Sequence, residues 1–328
     1  MRVFYYAPDT QTPSWGVGML YTHVRMLCAN GIDAFVLHGK PGFRPRWLDL
    51  DAPRAYRGRA SFKTRADDVL VIPEVFAARP AIRRMAGRRI VFVQASSFIS
   101  VGLRKARDYR QLGYEIAMSA MPHIQEIVEK HYGVAAPVVP PCIAPYFFLD
   151  RARWDRPRKH QVALIPKPWC RDFSIVRQML RDGAPALGWR VVELENKPHR
   201  EVARVLRQSA FHVNVNCHES FNATVPEAMA AGCIPICYEA FGGRDYLRNG
   251  GNAYVFPTHH AYQLVERALQ LMESYESVKR ELRRVQRGGL ATAQRYTEAR
   301  TENALLRFFT GGFFTGAFFT GGYNGNSQ

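Results

Sequence analysis

Residues 211–256 read FHVNVNCHESFNATVPEAMAAGCIPICYEAFGGRDYLRNGGNAYVF. The apolar run 211–215 predicts a buried strand that passes into a polar loop, and a helix over 225–231 opens near Thr224 and stops at Gly232. A second apolar strand covers 234–238, followed by the Gly242-Gly243 turn and a short strand over 253–256. Strand, loop, helix, glycine and strand in that order specify a parallel β-α-β unit. Glu219 and Glu227 stand eight residues apart across the loop and the helix start. That position puts both carboxylates near free backbone N–H groups and a positive dipole end, which favour an anion such as a diphosphate. The same letters spell a capping box, Thr224-Val225-Pro226-Glu227, with Thr224 as N-cap and Glu227 at the third helical position.

The alternation extends in both directions. Toward the N-terminus, strands are predicted over 2–7, 34–37, 68–72, 89–93 and 115–118, and helices over 19–29, 74–85, 102–112 and 121–131. The loop 8–18 is rich in Pro, Thr, Ser and Gly, and Asn30-Gly31 closes the first helix. A second series has strands over 162–165 and 190–194, helices over 173–181 and 200–208, and the quoted segment. Three further helices close it, over 262–272, 275–286 and 298–309. The expected fold class is therefore α/β, with two doubly wound Rossmann-like domains facing across a cleft that takes the ligand. The Pro-rich run at 137–141 and the non-periodic stretch 147–160 set the expected division. Residues 1–150 form one domain and 151–295 the other, with a closing helix over 296–309. Residues 310–328 carry a Phe-Phe-Thr-Gly repeat too short for a solenoid, read as a low-complexity tail.

The chain has 328 residues, is 47% hydrophobic and carries 45 Lys+Arg against 28 Asp+Glu, a formal charge of +17. A chain this long and apolar has core enough to exclude disorder over most of its length. No run reaches the roughly 18 consecutive apolar residues of a spanning helix, so a soluble, cytoplasmic protein is expected. Six cysteines without a C-x-x-C pair read as reduced, mostly buried thiols. Sixteen basic against six acidic residues between Arg44 and Arg110 concentrate the charge in the first domain. Nucleic acid, an anionic membrane surface and an acidic substrate compete for that charge, besides arginine-rich composition without a role.

The quoted segment resembles the most diagnostic stretch of the retaining GT-B glycosyltransferases of the family-4 type, which use sugar nucleotides. Their pattern is Glu, seven residues, Glu, then Ala-Met-Ala-x-Gly, a strand and a Gly-Gly turn. Here it is Glu219, seven residues, Glu227, Ala228-Met229-Ala230-Ala231-Gly232 and Gly242-Gly243. A looser likeness extends over about residues 1 to 309, through the opening strand-loop-helix, the Val138–Ile143 linker and an aromatic-led closing helix.

The resemblance implies roles. Glu227 accepts hydrogen bonds from the ribose hydroxyls of the donor, and Glu219 faces the donor sugar and stabilises positive charge at the anomeric carbon. Backbone amides of Ser220, Phe221 and Asn222, beside Thr224, approach the sugar and phosphate; the family often has glycine in this stretch, so Ser220 and Asn222 are departures. Lys167 and Arg171, in the loop after the first strand of the second domain, match a family Lys/Arg pair with the types exchanged, and supply the cations for the diphosphate. In the first domain Gly16 and Gly18 let backbone approach the donor phosphate or acceptor. Gln94 stands on the acceptor side where many relatives carry a His. Glutamine cannot transfer a proton, so either His23 or His123 acts instead, or the leaving phosphate is itself the base.

No cofactor or metal is implied. Asp49-Leu50-Asp51 has the spelling of a metal-binding Asp-x-Asp but sits in a basic, Pro-flanked loop, and His259-His260 lacks a third ligand. The expected partners are a UDP- or GDP-sugar donor and a hydroxyl acceptor, glycan or lipid-linked, with the basic domain suited to an anionic acceptor or the inner face of a membrane rather than to nucleic acid, for which no aromatic-basic motif is present. The implied function is a retaining, hexosyl-type glycosyltransferase in polysaccharide, glycolipid or other glycoconjugate synthesis. The alternative is a non-catalytic nucleotide-sugar or glycan-binding protein on a degenerate scaffold.

Overall fold

The computed structural model describes residues 1–154, 158–166, 170–195 and 197–311. Lys167 and the repeats from residue 312 onward lie outside the described residues. The chain divides into two compact units, Met1–Pro141 together with the segment from Ala299 on, and Cys142–Glu298.

The first unit runs β1 (Val3–Tyr6), α1 (Trp15–Ala29), β2 (Ala34–His38), β3 (Arg54–Tyr56), β4 (Val69–Pro73), α2 (Pro80–Arg83), β5 (Arg88–Val93), α3 (Ile99–Leu103), β6 (Ile116–Ser119) and α4 (Pro122–His131). Its sheet is parallel with order β3-β2-β1-β4-β5-β6, and Val3 pairs with Ala34 on one side and Val69 on the other. Every residue of β1 and β4 is buried, as strands covered on both faces require.

Several local expectations give way to identifiable physics. Helix α1 starts at Trp15, not near residue 19, because the Ser14 hydroxyl accepts a hydrogen bond from the Val17 amide at 3.4 Å. Gly16 and Gly18 therefore lie on the first turn of a helix and not in a loop. The helix expected over 74–85 is broken: Glu74–Phe76 makes one 3₁₀ turn, and Arg79, preceding Pro80, is held extended at φ −67°, ψ 117°. In place of a helix over 102–112 there is the short α3 and a 3₁₀ turn at Arg110–Leu112. Gly102 explains the compactness here, since a Cβ on it would overlap the Glu74 carbonyl oxygen. The half-buried three-residue edge strand β3 was not expected at all.

The second unit runs β7 (Lys159–Leu164), α5 (Phe173–Ala186), β8 (Arg190–Glu193), α6 (His199–Leu206), β9 (Ser209–Asn214), α7 (Thr224–Ala230), β10 (Ile234–Tyr238), β11 (Tyr254–Phe256), α8 (Ala261–Glu273) and α9 (Lys279–Ala293). Its parallel sheet has order β11-β10-β9-β7-β8. Trp189 anchors one face, packed 5.3 Å from Phe211 and 5.1 Å from Tyr275, with its indole N–H donating to the Met272 carbonyl at 3.2 Å. The last helix, α10 (Glu298–Thr310), belongs to the first unit: the Asn30 amide donates to Glu302 at 2.6 Å and the Thr301 hydroxyl to the Pro140 carbonyl at 2.9 Å.

Both sheets have a point where the order reverses, between β1 and β4 in the first unit and between β7 and β9 in the second. In doubly wound sheets, loops diverge at such a point and the crevice at the carboxyl edge is the standard ligand position. All six cysteines are free, and five are buried. Among the described residues no helix is long and apolar enough to cross a membrane.

Candidate functional site

At the second unit's switch point, the chain leaving β9 is folded by buried asparagines. The Asn214 side-chain oxygen accepts from the Asn216 amide at 3.0 Å and from the Asn222 side chain at 3.1 Å, while its own NH₂ donates to the Thr224 hydroxyl at 2.7 Å. Asn216 in turn accepts from the His218 amide at 3.2 Å. His212 lies with Nδ1 3.2 Å from the Ala163 carbonyl and Nε2 3.4 Å from the Asn214 side-chain nitrogen. This network ties Asn222 and Thr224 back to Asn214 at the end of β9.

Two further contacts fix the loop. Gly242 packs so closely on Ser220 that a Cβ there would overlap the Ser220 carbonyl, and the Tyr246 hydroxyl donates to the Phe221 carbonyl at 3.0 Å. Asn222 sits in the left-handed region at φ 51°, a conformation asparagine accepts more readily than other side chains. Asparagine thus fills a backbone position of the kind glycine usually takes. The loop gathers Ser220, Phe221 and Asn222, all buried, with Glu219 half-buried beside them.

The capping box does not form. Ala223 is the N-cap and Thr224 the first helical residue, because Thr224 is turned toward Asn214 and Asn222 instead of the helix amides. Glu227 is consequently free of a capping role. It is 3% exposed, and its Oε1 accepts from His199 Nε2–H at 2.9 Å. The other ring nitrogen of His199 lies 2.8 Å from the Tyr146 hydroxyl, and the Phe147 ring meets the imidazole edge-on at 4.7 Å. Burial works to lower the basicity of His199, but the hydrogen bond and charge of Glu227 outweigh it and raise the imidazolium pKa above its ordinary value. Sequence reasoning missed His199 because the helix was started one residue late, at Arg200; the signal was a histidine at the opening of a helix that follows a strand of this sheet.

Arg171 is exposed in the turn ahead of α5. Its neighbour Asp172 accepts from the Tyr238 hydroxyl at 2.7 Å and from His259 Nδ1 at 3.0 Å, so the exposed His259 has a hydrogen-bond partner in Asp172.

In the first unit Gln94 donates to the Gly16 carbonyl at 3.4 Å, and a Cβ on Gly16 would strike the Gln94 side-chain oxygen. Gly18 is less crowded, the nearest atom to a Cβ there being Leu48 at 3.8 Å. Directly after β4 lies Glu74, 3% exposed, whose Oε1 accepts from the Ala95 amide at 2.9 Å. Burial pushes its pKa up to about 7, although backbone N–H groups of Gln94 and Ala95 pull the other way. His23 is in the core, stacked on Phe92 at 5.1 Å with its pKa pushed down to about 3 by burial, and His123 is buried in the first turn of α4. Asp51 is held 2.5 Å from Arg54 in an ion pair. Among the described residues no three His, Cys, Asp or Glu side chains converge as metal ligands.

Residues 187–286 match the family model of the glycosyl transferases group 1. That region contains His199, Glu219, Glu227 and Gly242, and leaves Arg171 and Gln94 outside it. No curated sequence matches the chain. Among solved structures, HepE of Anabaena in complex with UDP superposes with a TM-score of 0.68 at 10% identity, covering 94% of this chain and 100% of that one. Sucrose-phosphate synthase of Thermosynechococcus elongatus gives 0.66 at 10% identity over 96% and 99%. A glycosyltransferase of Rickettsia africae gives 0.66 at 10% over 94% and 97%. Identities this low speak to fold, and the fold is GT-B, with two Rossmann-like domains.

Proposed function

We propose that the chain is a retaining glycosyltransferase that moves a sugar from a nucleoside diphosphate sugar to a hydroxyl acceptor. The observation that carries the reading is Glu227: a buried carboxylate at a sheet switch point, inside the glycosyl transferases group 1 region and released from any capping duty. It is suited to accept hydrogen bonds from ribose hydroxyls. Glu219 and the amides of 220–222 face the sugar, and Arg171 with Lys167 stabilise the leaving diphosphate in place of a metal ion. The bond between the anomeric carbon and the diphosphate breaks, the acceptor oxygen bonds to the same face of that carbon, and its proton passes to the departing phosphate oxygen. With Gln94 unable to take a proton and His23 in the core, the phosphate serves as the base.

The basic first unit supports an anionic or lipid-linked acceptor at the inner face of a membrane; acceptor uptake then weakens as salt rises. The test is calorimetry with a panel of UDP- and GDP-sugars, followed by proton NMR of the product. Binding, turnover insensitive to chelator and a product of unchanged anomeric configuration support the reading. No binding by any donor overturns it, an inverted product overturns retention, and binding without transfer to any hydroxyl acceptor favours the non-catalytic alternative.

A further inference from the structure

The pairing of His199 with Glu227 is not part of the motif that identifies the region, and its geometry is complete. Glu227 is one of few carboxylates buried to this degree, and an imidazole supplies the donor to its Oε1 at 2.9 Å. Tyr146 fixes the far nitrogen at 2.8 Å, Phe147 packs against the ring edge, and the Arg200 guanidinium lies over the Tyr146 ring at 4.7 Å. Three separate pieces of chain, the 3₁₀ turn Pro145–Phe147, α6 and α7, thus meet on one imidazole.

We propose that His199 is a positioning residue for donor recognition, which holds the Glu227 carboxylate in one orientation so that it is ready for the ribose, and which makes donor affinity depend on pH. This rests on the reading of Glu227 as the ribose contact. Both protonation states of the ring keep the geometry. Neutral His199 donates from Nε2 to Glu227 and accepts at Nδ1 from the Tyr146 O–H; the imidazolium donates from both nitrogens, the second to the Tyr146 oxygen. What changes is strength, because the charged donor makes the shorter, stronger bond and favours an anionic nucleotide nearby. Among the groups on the elements packed against the ring, Glu227 on α7 carries the charge that acts on it. Tyr146 presents a hydroxyl, the His212 ring on β9 is engaged with Ala163 and Asn214, and on α6 itself Arg200 lies over Tyr146 while Glu201 pairs with Lys197 and Arg204. Donor affinity therefore falls as pH rises through the His199 titration.

The experiment is calorimetric titration of the full chain with UDP and with GDP from about pH 5.5 to 8.5, the range in which a histidine changes charge. His199→Ala, His199→Gln, Tyr146→Phe and Glu227→Ala are compared, with thermal melting to confirm that each is folded. For the nucleotide that binds, His199→Ala is expected to weaken affinity about five- to tenfold, its half-exposed ring holding the effect below that of a fully buried charged pair. His199→Gln, which keeps an N–H donor, should restore most of the affinity but flatten the pH profile. Tyr146→Phe should fall between wild type and His199→Ala. The Gln profile also removes the nucleotide's own ionisation from the comparison. If Glu227→Ala abolishes binding while both His199 variants keep wild-type affinity and wild-type pH dependence, the inference is overturned and the donor reading stands. If the wild type takes up neither nucleotide, or Glu227→Ala binds as well as wild type, the donor reading itself fails and the inference with it.

Discussion

The two switch points hold the same kind of group in opposite electrostatic settings. At the second unit's crevice the buried carboxylate, Glu227, is met by the imidazole of His199. At the first unit's crevice the buried carboxylate, Glu74, is met by the backbone amide of Ala95, and among the described residues no cation pairs with it. The consequence appears in the pKa directions: the partner of Glu227 is raised, as a cation beside an anion should be, whereas Glu74 itself is pushed up to about 7 by burial. Glu227 has an imidazole partner whose basicity it raises, whereas Glu74 sits near the point where it takes up a proton. A crevice that must hold a charged acceptor of hydrogen bonds looks like the first; one that tolerates a neutral acid looks like the second.

The largest test of this contrast removes both carboxylates in turn. On the reading of Glu227 as the ribose contact, Glu227→Ala should lower donor affinity by about 100-fold, because charge-assisted hydrogen bonds are lost to the ribose and the His199 ring is left without its counter-charge. Glu74→Ala should leave nucleotide affinity within about threefold of wild type, since Glu74 lies in the unit that does not carry the donor motif. Calorimetry with UDP and GDP reads both, and equal losses would erase the distinction between the crevices.

The legibility of the two crevices in the sequence differs for the same reason. The second is written in contiguous residues: Glu219, Glu227, the Ala-Met-Ala-Ala-Gly run and the Gly-Gly turn lie within 25 residues, so spacing alone reports the site. Alternating strands and helices likewise made both sheets readable, because parallel strands buried on both faces are continuous apolar runs. His199 and Tyr146 were not readable, since they lie 28 and 81 residues from Glu227 and only the packing of the turn Pro145–Phe147, α6 and α7 on one another joins them. Glu74 was hidden differently: it was placed inside an expected helix, and the break at Pro80 and the close approach of Gly102 are what turn it into a buried residue at a sheet edge. Thr224 was misread for the converse reason, a valid capping pattern whose hydroxyl finds a better partner in Asn214, a residue ten positions earlier.

The next effect is on stability and has a definite sign. A carboxylic acid at its ordinary 4.5 in the unfolded chain and at about 7 when buried takes up a proton more readily in the folded state. The folded state is therefore favoured fully below about pH 4.5, and that advantage is lost as pH rises to about 7, a change of about 3 kcal/mol at most. Glu74→Gln keeps an oxygen to accept from Ala95 and cannot ionise. Its melting temperature relative to wild type should rise as pH goes from about 4.5 to 7 and then level off. A difference independent of pH would mean that Glu74 is not the titrating group and that the two carboxylates are electrostatically alike.

The smallest effect separates backbone strain from hydrogen bonding in the loop between β9 and α7. Asn222 holds φ 51° and donates to Asn214, so two contributions share one residue. Asn222→Gly removes the hydrogen bond but accepts the left-handed backbone without strain, whereas Asn222→Ala removes the bond and adds strain of about 1 kcal/mol. If the loop is held mainly by its backbone, the Gly variant should melt close to wild type and the Ala variant lower by a few degrees, a span set by about 1 kcal/mol in a domain of this size. If the asparagine network dominates, the two variants should melt together, both below wild type. Nucleotide affinity measured on the same pair then reports whether the amides of 220–222 need that exact backbone: affinity that follows the melting order ties donor recognition to the left-handed turn, and affinity indifferent to it leaves Glu227 and its histidine as the dominant contact.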